Sequence, residues 1–150
     1  MPEIYFEDIK EGTVRDVGSY TVPKEEMVAF SERYDPQPIH IDEEAASNHV
    51  FGEIIASGWY TACICMRLLT DAFLRETVSI GSPGLDTLSW STPVYAGDTL
   101  TVENEILDTR ASRSRDDRGY VRNQTRAYNQ DDEEVISWTA TTIVLCRGAD

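Results

Sequence analysis

Residues 58–75 restrict the folds open to this chain more than any other segment, because a helix drawn on them carries charge on a single stripe. Arg67, Asp71 and Arg75 follow one another at i, i+4 spacing. Trp59, Ala62, Cys63, Met66, Leu69 and Phe73 form an apolar face, which Ile64, Cys65 and Leu68 widen. A helix this apolar has to be covered on most sides, and a curved sheet is the natural cover. Alternating polar and apolar residues predict strands over residues 14–20, 87–92, 99–107, 120–129 and 135–145. The order strand, long helix, four antiparallel strands predicts an α+β domain with one sheet curled around one buried helix.

Between the first strand and the long helix the pattern is helical and interrupted. A helix is predicted from residues 21–26, with Pro23 at its first position and Glu25 and Glu26 near its positive end. Met27, Phe30 and Tyr34 follow at helical spacing, and Asp35-Pro36-Gln37-Pro38 stops it, since a residue before proline is pushed out of the helical region. A short helix is expected over residues 42–48.

Length and charge narrow the function classes. At 150 residues the chain has the size of one domain with one core, so a single domain over residues 1–150 is expected. Its 27 acids and 13 bases give a formal net charge of −14, and Lys10 and Lys24 are the only lysines. Such a surface repels phosphate, which argues against nucleic acid and anionic membranes as partners. The acidic, lysine-poor composition resembles that of proteins from salt-loving organisms, where screening relieves the self-repulsion. No stretch approaches the ~20 apolar residues of a membrane span, and residues 1–8 lack the features of a signal peptide, so a cytoplasmic protein is expected. Cys63, Cys65 and Cys146 have no metal or redox spacing and read as reduced thiols.

The chemistry concentrates in two short runs. In Asp35-Pro36-Gln37-Pro38-Ile39-His40, two prolines restrict the backbone so that a carboxylate and an imidazole can converge with little entropy left to lose. Such a pair can hold one water and exchange a proton near neutral pH. The run from Phe51-Gly52 to Ser57-Gly58-Trp59 delivers a glycine to the start of the apolar helix, where unpaired N–H groups and the helix dipole suit an anionic oxygen. A water-handling pair beside an oxyanion site is an addition or elimination site.

At these residues the chain resembles the MaoC-like hydratase and dehydratase family, which includes (R)-specific enoyl-CoA hydratases. Residues 35–40 resemble its D-x-N-P-x-H signature, and Phe51-Gly52, the Gly58 helix start and Pro93-Val94-Tyr95-Ala96-Gly97-Asp98-Thr99-Leu100 also look like the family pattern. The resemblance spans roughly residues 5–146. It implies a hotdog fold, reversible addition of water to a trans-2-enoyl-CoA, and a dimer, with a hexamer as the larger option. By the same resemblance Asp35 is the main base, His40 holds the water and shares the proton transfer, and the Gly58 amide stabilises the thioester oxygen. Gln37, one methylene longer, stands where the signature has Asn and bears on a loop contact, and Ser57 stands where many members have His and bears on the lining of the thioester; both departures concern substrate preference more than reaction type.

Further contacts stay open. Ser57, Trp59, Tyr60 and Met66 either line an acyl channel or pack in the core. Arg113 with Arg115, and Arg122 with Arg126, either form a ridge for the CoA phosphates or pair with acids on a solvated hairpin. His49 reads as a surface residue. No metal-ligand cluster or phosphate-binding glycine loop is present, so no cofactor is expected beyond the CoA of the substrate. Two alternatives remain: a thioesterase using Asp71 on the long helix, or an acyl-CoA-binding module without turnover.

Overall fold

Alternation along the strands decides which side of the sheet meets the helix. In β4 (Thr99–Ala111) Leu100, Val102, Asn104 and Ile106 are buried. In β5 (Arg118–Tyr128) the buried positions are Gly119, Val121, Asn123, Thr125 and Ala127. The structure, a computed structural model, describes residues 3–149. Met1, Pro2 and Asp150, which belong to the expected domain over residues 1–150, lie outside the described residues.

The strands are antiparallel in the order β1 (Val14–Thr21), β4, β5, β6 (Glu134–Leu145). The outer edge of β6 is shared: β2 (Ser79–Gly81) pairs with its C-terminal part and β3 (Leu85–Trp90) with residues 136–140. The helix α4 (Gly58–Leu69) packs across the inner face against β1, β4 and β6 and continues as a π-helical turn, Thr70–Leu74. This is the sheet wrapped around a helix expected of a hotdog fold. A bulge at Asp16–Gly18 bends β1, and Gly18 adopts the positive φ of 119° that this geometry needs.

The other helices carry the site. The helix α1 (Lys24–Tyr34) starts one residue later than expected, with Pro23 in extended backbone as its N-cap. Its last turn is closed by the Asp35 N–H on the Ser31 carbonyl at 2.9 Å. The sequence reading passed over α2 (Pro38–Ile41), a single turn opened by Pro38. The expected helix at 42–48 is α3 (Glu43–Ser47), capped by the Asp42 side chain on Ala45 N–H at 2.9 Å. The short strand β2 was also not expected, because its Gly-Ser-Pro surroundings read as loop.

One expectation about α4 needs correcting. Tyr60, Thr61, Cys65 and Leu69 are buried, but Trp59, Cys63 and Met66 are exposed. A sheet covers one side of a helix, so the stripe turned away from it stays open within a single chain. The acidic and basic stripe behaves as read, with Asp71 bonded to Arg67 at 2.6 Å and also to Arg75. Burial of Cys65 pushes its thiol up to about 12, which makes it an inert core group.

Candidate active site

Asp35 and His40 converge because α1 ends at the first and α2 holds the second, with Pro36 and Pro38 fixing the path between them. The Asp35 Oδ2 atom lies 3.4 Å from His40 Nε2. The ring is buried, and its Nδ1 sits 2.8 Å from the Ile55 carbonyl oxygen. A carbonyl only accepts, so Nδ1 carries a proton and donates it. In the neutral form of the ring this leaves Nε2 as a lone pair facing a carboxylate oxygen. Two acceptors at that separation need a shared proton or a water that donates to both.

Both carboxylate oxygens of Asp35 have partners besides this one. Gln37 Nε2 donates to Oδ1 at 2.7 Å, and the Ser57 hydroxyl donates to Oδ2 at 2.7 Å. These two bonds hold the Asp35 carboxyl below its ordinary range, the Gln37 bond contributing most and the Ser57 bond next. The two positions that depart from the family signature thus act on the proposed base. Ser57 does not line the cavity: it is fully buried, and its Oγ also accepts the Trp59 N–H at 3.3 Å as the N-cap of α4.

An experiment follows from these bonds. Removing either donor lets the folded-state pKa of Asp35 rise. A base works when ionised, so its activity is lost as pH falls through that pKa, and a higher pKa moves the acid limb of the pH–rate profile to higher pH. Gln37→Ala is expected to move this limb further than Ser57→Ala, measured as kcat/KM against pH. An unmoved limb in both variants would show that Asp35 is not the group titrating. Ser57→Ala additionally loses a helix cap worth about 1 kcal/mol.

Gly58 opens α4 beside this pair, and its N–H has no acceptor among the described residues. A methyl group on Gly58 would meet Trp90, whose ring atoms lie 2.4, 2.5 and 2.8 Å from the ideal Cβ position. The Trp90 indole N–H bonds to the Gly58 carbonyl at 2.9 Å, and its ring meets Trp59 edge-on at 5.1 Å. Sequence reasoning missed Trp90, since a tryptophan in an alternating strand carries no mark of what it faces. Pairing of Ile55 with Tyr95, and of the Ala56 N–H with the Val94 carbonyl at 2.8 Å, pins the approach to α4 onto the Pro93–Asp98 turn.

Asp35, His40, Gly58 and Trp59 border one cavity of about 460 Å³, closed elsewhere mainly by apolar groups such as Phe51, Ile55 and Trp90. Tyr60 lies outside it. Its side chain is buried, and its hydroxyl donates to Glu26 at 2.8 Å, on the same oxygen that takes the Tyr20 hydroxyl at 2.6 Å. Burial and that carboxylate push the Tyr60 phenol well above its usual range. Tyr60 therefore ties the first turn of α4 to α1, the two elements that deliver Gly58 and Asp35.

Two of the arginines are placed far from this cavity within one chain. Arg113 and Arg115 sit in the β4–β5 turn. Gly119 at that end pairs with Val144, whereas the cavity borders Val135. Nine residues of strand separate the two ends, roughly 30 Å. Arg115 pairs with Asp117 at 3.5 Å, Arg122 with Asp86 at 2.8 Å and Arg126 with Glu105 at 2.9 Å. His49 is exposed and stacks on Phe51 at 4.9 Å. Asp71, which the thioesterase alternative needs, is occupied by its two arginines and does not border the cavity. No group of acids, histidines and cysteines suited to a metal occurs among the described residues, and no described helix is long and apolar enough to cross a membrane.

Comparison with known proteins gives a consistent family. A model described as a MaoC-like domain matches residues 6–129. YdeM of Bacillus subtilis (strain 168), an uncharacterized protein, is 30% identical over 134 residues, or 89% of this chain and 93% of that protein. A MaoC-like dehydratase from Rhodospirillum rubrum is similar in structure with a TM-score of 0.86 and 38% identity, over 97% of this chain and 99% of that one. An (R)-hydratase from A. caviae involved in PHA biosynthesis shares the fold at a TM-score of 0.72 and 24% identity, over 91% of this chain and 97% of that one.

Proposed function

The chain belongs to the family of MaoC-like domains, and from that premise we propose that it is a hydro-lyase adding water reversibly to a trans-2-enoyl-CoA to give an (R)-3-hydroxyacyl-CoA. The observation that carries this reading is the 3.4 Å gap between Asp35 Oδ2 and His40 Nε2, with the imidazole proton committed to Ile55 on the other side. A water at this gap donates one hydrogen to each acceptor and points an oxygen lone pair outward. That oxygen adds to C3 as Asp35 takes its proton. Negative charge moves to the thioester oxygen, which the free Gly58 N–H receives, and the Asp35–His40 pair returns a proton to C2 on the same face. Water is consumed whole, and no oxidant, metal or further cofactor enters.

The (R) configuration is carried over from the (R)-hydratase of the same fold. It is tested in the reverse direction, by following the enoyl absorbance from (R)- and (S)-3-hydroxybutyryl-CoA. Absorbance from the (R) isomer alone supports the assignment, and absorbance from the (S) isomer alone contradicts it.

The partner expected besides the CoA thioester is a second copy of the chain. The strand β3 is an outer strand with Leu85 and Trp90 exposed, and Trp59, Cys63 and Met66 form an open stripe on α4. An outer strand and an apolar stripe on one molecule need cover, and a two-fold contact supplies it. Arg113 or Arg115 can reach CoA phosphates only from another subunit, since both lie at the far end of their own sheet. The charge of −14 makes the fold salt-dependent. Between roughly 0.1 M and 2 M KCl, where screening shortens to a few Å, Tm is expected to rise by roughly 10 °C, or about 2–3 kcal/mol. Sedimentation at the higher salt should show a dimer. A flat Tm would contradict the adaptation to salt, and a monomer at all concentrations would contradict the partner.

A further inference from the structure

Thr61 stands three residues after Gly58 in the first turn of α4, where its N–H closes the turn on the Ser57 carbonyl at 3.2 Å. Residues three apart lie on one face of a helix, and each Cα–Cβ bond tilts toward the helix N-terminus. The Thr61 side chain therefore leans back over the helix start, toward the turn that presents the Gly58 N–H. It borders the same cavity as Asp35, His40 and Gly58.

Thr61 is 2% exposed, yet its hydroxyl makes no hydrogen bond among the described residues. A threonine hydroxyl in a helix commonly turns to the carbonyl four residues back. Here the Ser57 carbonyl takes the Thr61 N–H and not the hydroxyl. Among the described residues, the buried side-chain atoms both unbonded and sealed off are Ser31 Oγ and Asn104 Oδ1. Thr61 Oγ1 is not one of them, so it is unbonded but reachable, and the space that reaches Thr61 is the cavity. The other polar side chains there differ. Asp35 is bonded to Gln37 and Ser57, His40 to the Ile55 carbonyl and Trp90 to the Gly58 carbonyl, while Ser91 and Thr92 are far less buried. A buried hydroxyl without a partner is costly, and this one has room for a partner that arrives with the substrate.

We propose that Thr61 Oγ1 donates to the thioester oxygen of the substrate beside the Gly58 N–H, so that two donors receive the charge formed as water adds. The inference rests on the thioester reading of this cavity. At its reacting end an enoyl thioester offers one strong acceptor, the carbonyl oxygen, because sulfur accepts weakly and the enoyl carbons do not accept. That oxygen carries little charge in the bound substrate and much more in the transition state, so the bond strengthens as the reaction proceeds. The hydroxyl keeps its proton throughout, and the proton for C2 comes from the Asp35–His40 pair. Ser57, the N-cap of the same helix, does not share this role, since its hydroxyl donates to Asp35.

The test is the infrared carbonyl band of butyryl-CoA, isotopically labelled at the thioester carbonyl and saturated so that it cannot react, bound in high salt to the wild type, Thr61→Val and Thr61→Ser. A hydrogen bond to a carbonyl lowers its stretching frequency. The band is expected to fall on binding to the wild type and to Thr61→Ser, and to fall less in Thr61→Val. With crotonyl-CoA, Thr61→Val is expected to lose about tenfold in kcat, the worth of one neutral hydrogen bond, with KM and the acid limb of the pH profile unmoved. Its melt should be no lower than that of the wild type, because the free protein loses no bond. Thr61→Ala, favoured in a helix, carries the same comparison should valine crowd the turn. A band in these variants at the wild-type frequency overturns the inference and leaves the thioester reading standing. A wild type that does not bind the thioester removes that reading and the inference together.

Discussion

Asp35→Asn is expected to lower kcat for crotonyl-CoA hydration by about 10³-fold, within the range that general-base groups contribute. The amide keeps the size of the side chain and an oxygen for Gln37 or Ser57, but it cannot take the proton of a water. His40→Gln removes the Nε2 acceptor facing Asp35 Oδ2 at 3.4 Å and is expected to cost about 10²-fold. Because both groups are proposed to hold one water, the double variant should be little worse than Asp35→Asn alone, as for residues that act as a unit. Steady-state kinetics beside a thermal melt checks this. Additive losses would separate the two residues, and activity retained in Asp35→Asn would remove it from the role of base.

Gly58→Ala should be the second most damaging change, although helix propensity alone favours alanine by about 1 kcal/mol. The new methyl carbon would fall 2.4 Å from the nearest Trp90 ring atom, so the ring or the helix start has to move. If the ring moves, its bond to the Gly58 carbonyl and its edge contact with Trp59 are lost. If the helix moves, the amide proposed to receive the thioester oxygen moves with it. Overpacking of this kind costs about 1–3 kcal/mol, and loss of an oxyanion donor costs about 10²-fold in kcat. The pair Gly58→Ala with Trp90→Ala relieves the clash, lets the helix start return, and is expected to regain part of the activity lost in Gly58→Ala. A single variant as stable and active as the wild type would show that the glycine is not required.

The fold was legible because its signals are periodic. The apolar stripe of residues 58–75 and the alternating strands point to the same sheet around a helix, and the described structure has that arrangement. The convergence of Asp35 and His40 was legible for a local reason, two prolines within five residues. Contacts between distant segments were not. The Ile55 carbonyl that orients His40, the Ser57 hydroxyl on Asp35 and the Trp90 ring over Gly58 join residues 15, 22 and 32 positions apart. Periodicity carries no information about such pairs. Tyr60 illustrates the same limit: its place in a helix left it between channel lining and core packing, whereas its hydroxyl reaches Glu26, 34 positions away, and turns it into a tie between helices. The exposed stripe at Trp59, Cys63 and Met66 was misjudged because hydrophobicity signals burial without distinguishing this chain's sheet from a second subunit.

Hydration is tested most directly by mixing purified protein in high salt with crotonyl-CoA and following the enoyl thioester absorbance and free thiol together. Loss of absorbance without release of thiol, with (R)-3-hydroxybutyryl-CoA as product, is the result expected of an Asp35–His40 hydratase. Release of thiol without formation of the hydroxyacyl product would contradict it and point to thioester hydrolysis.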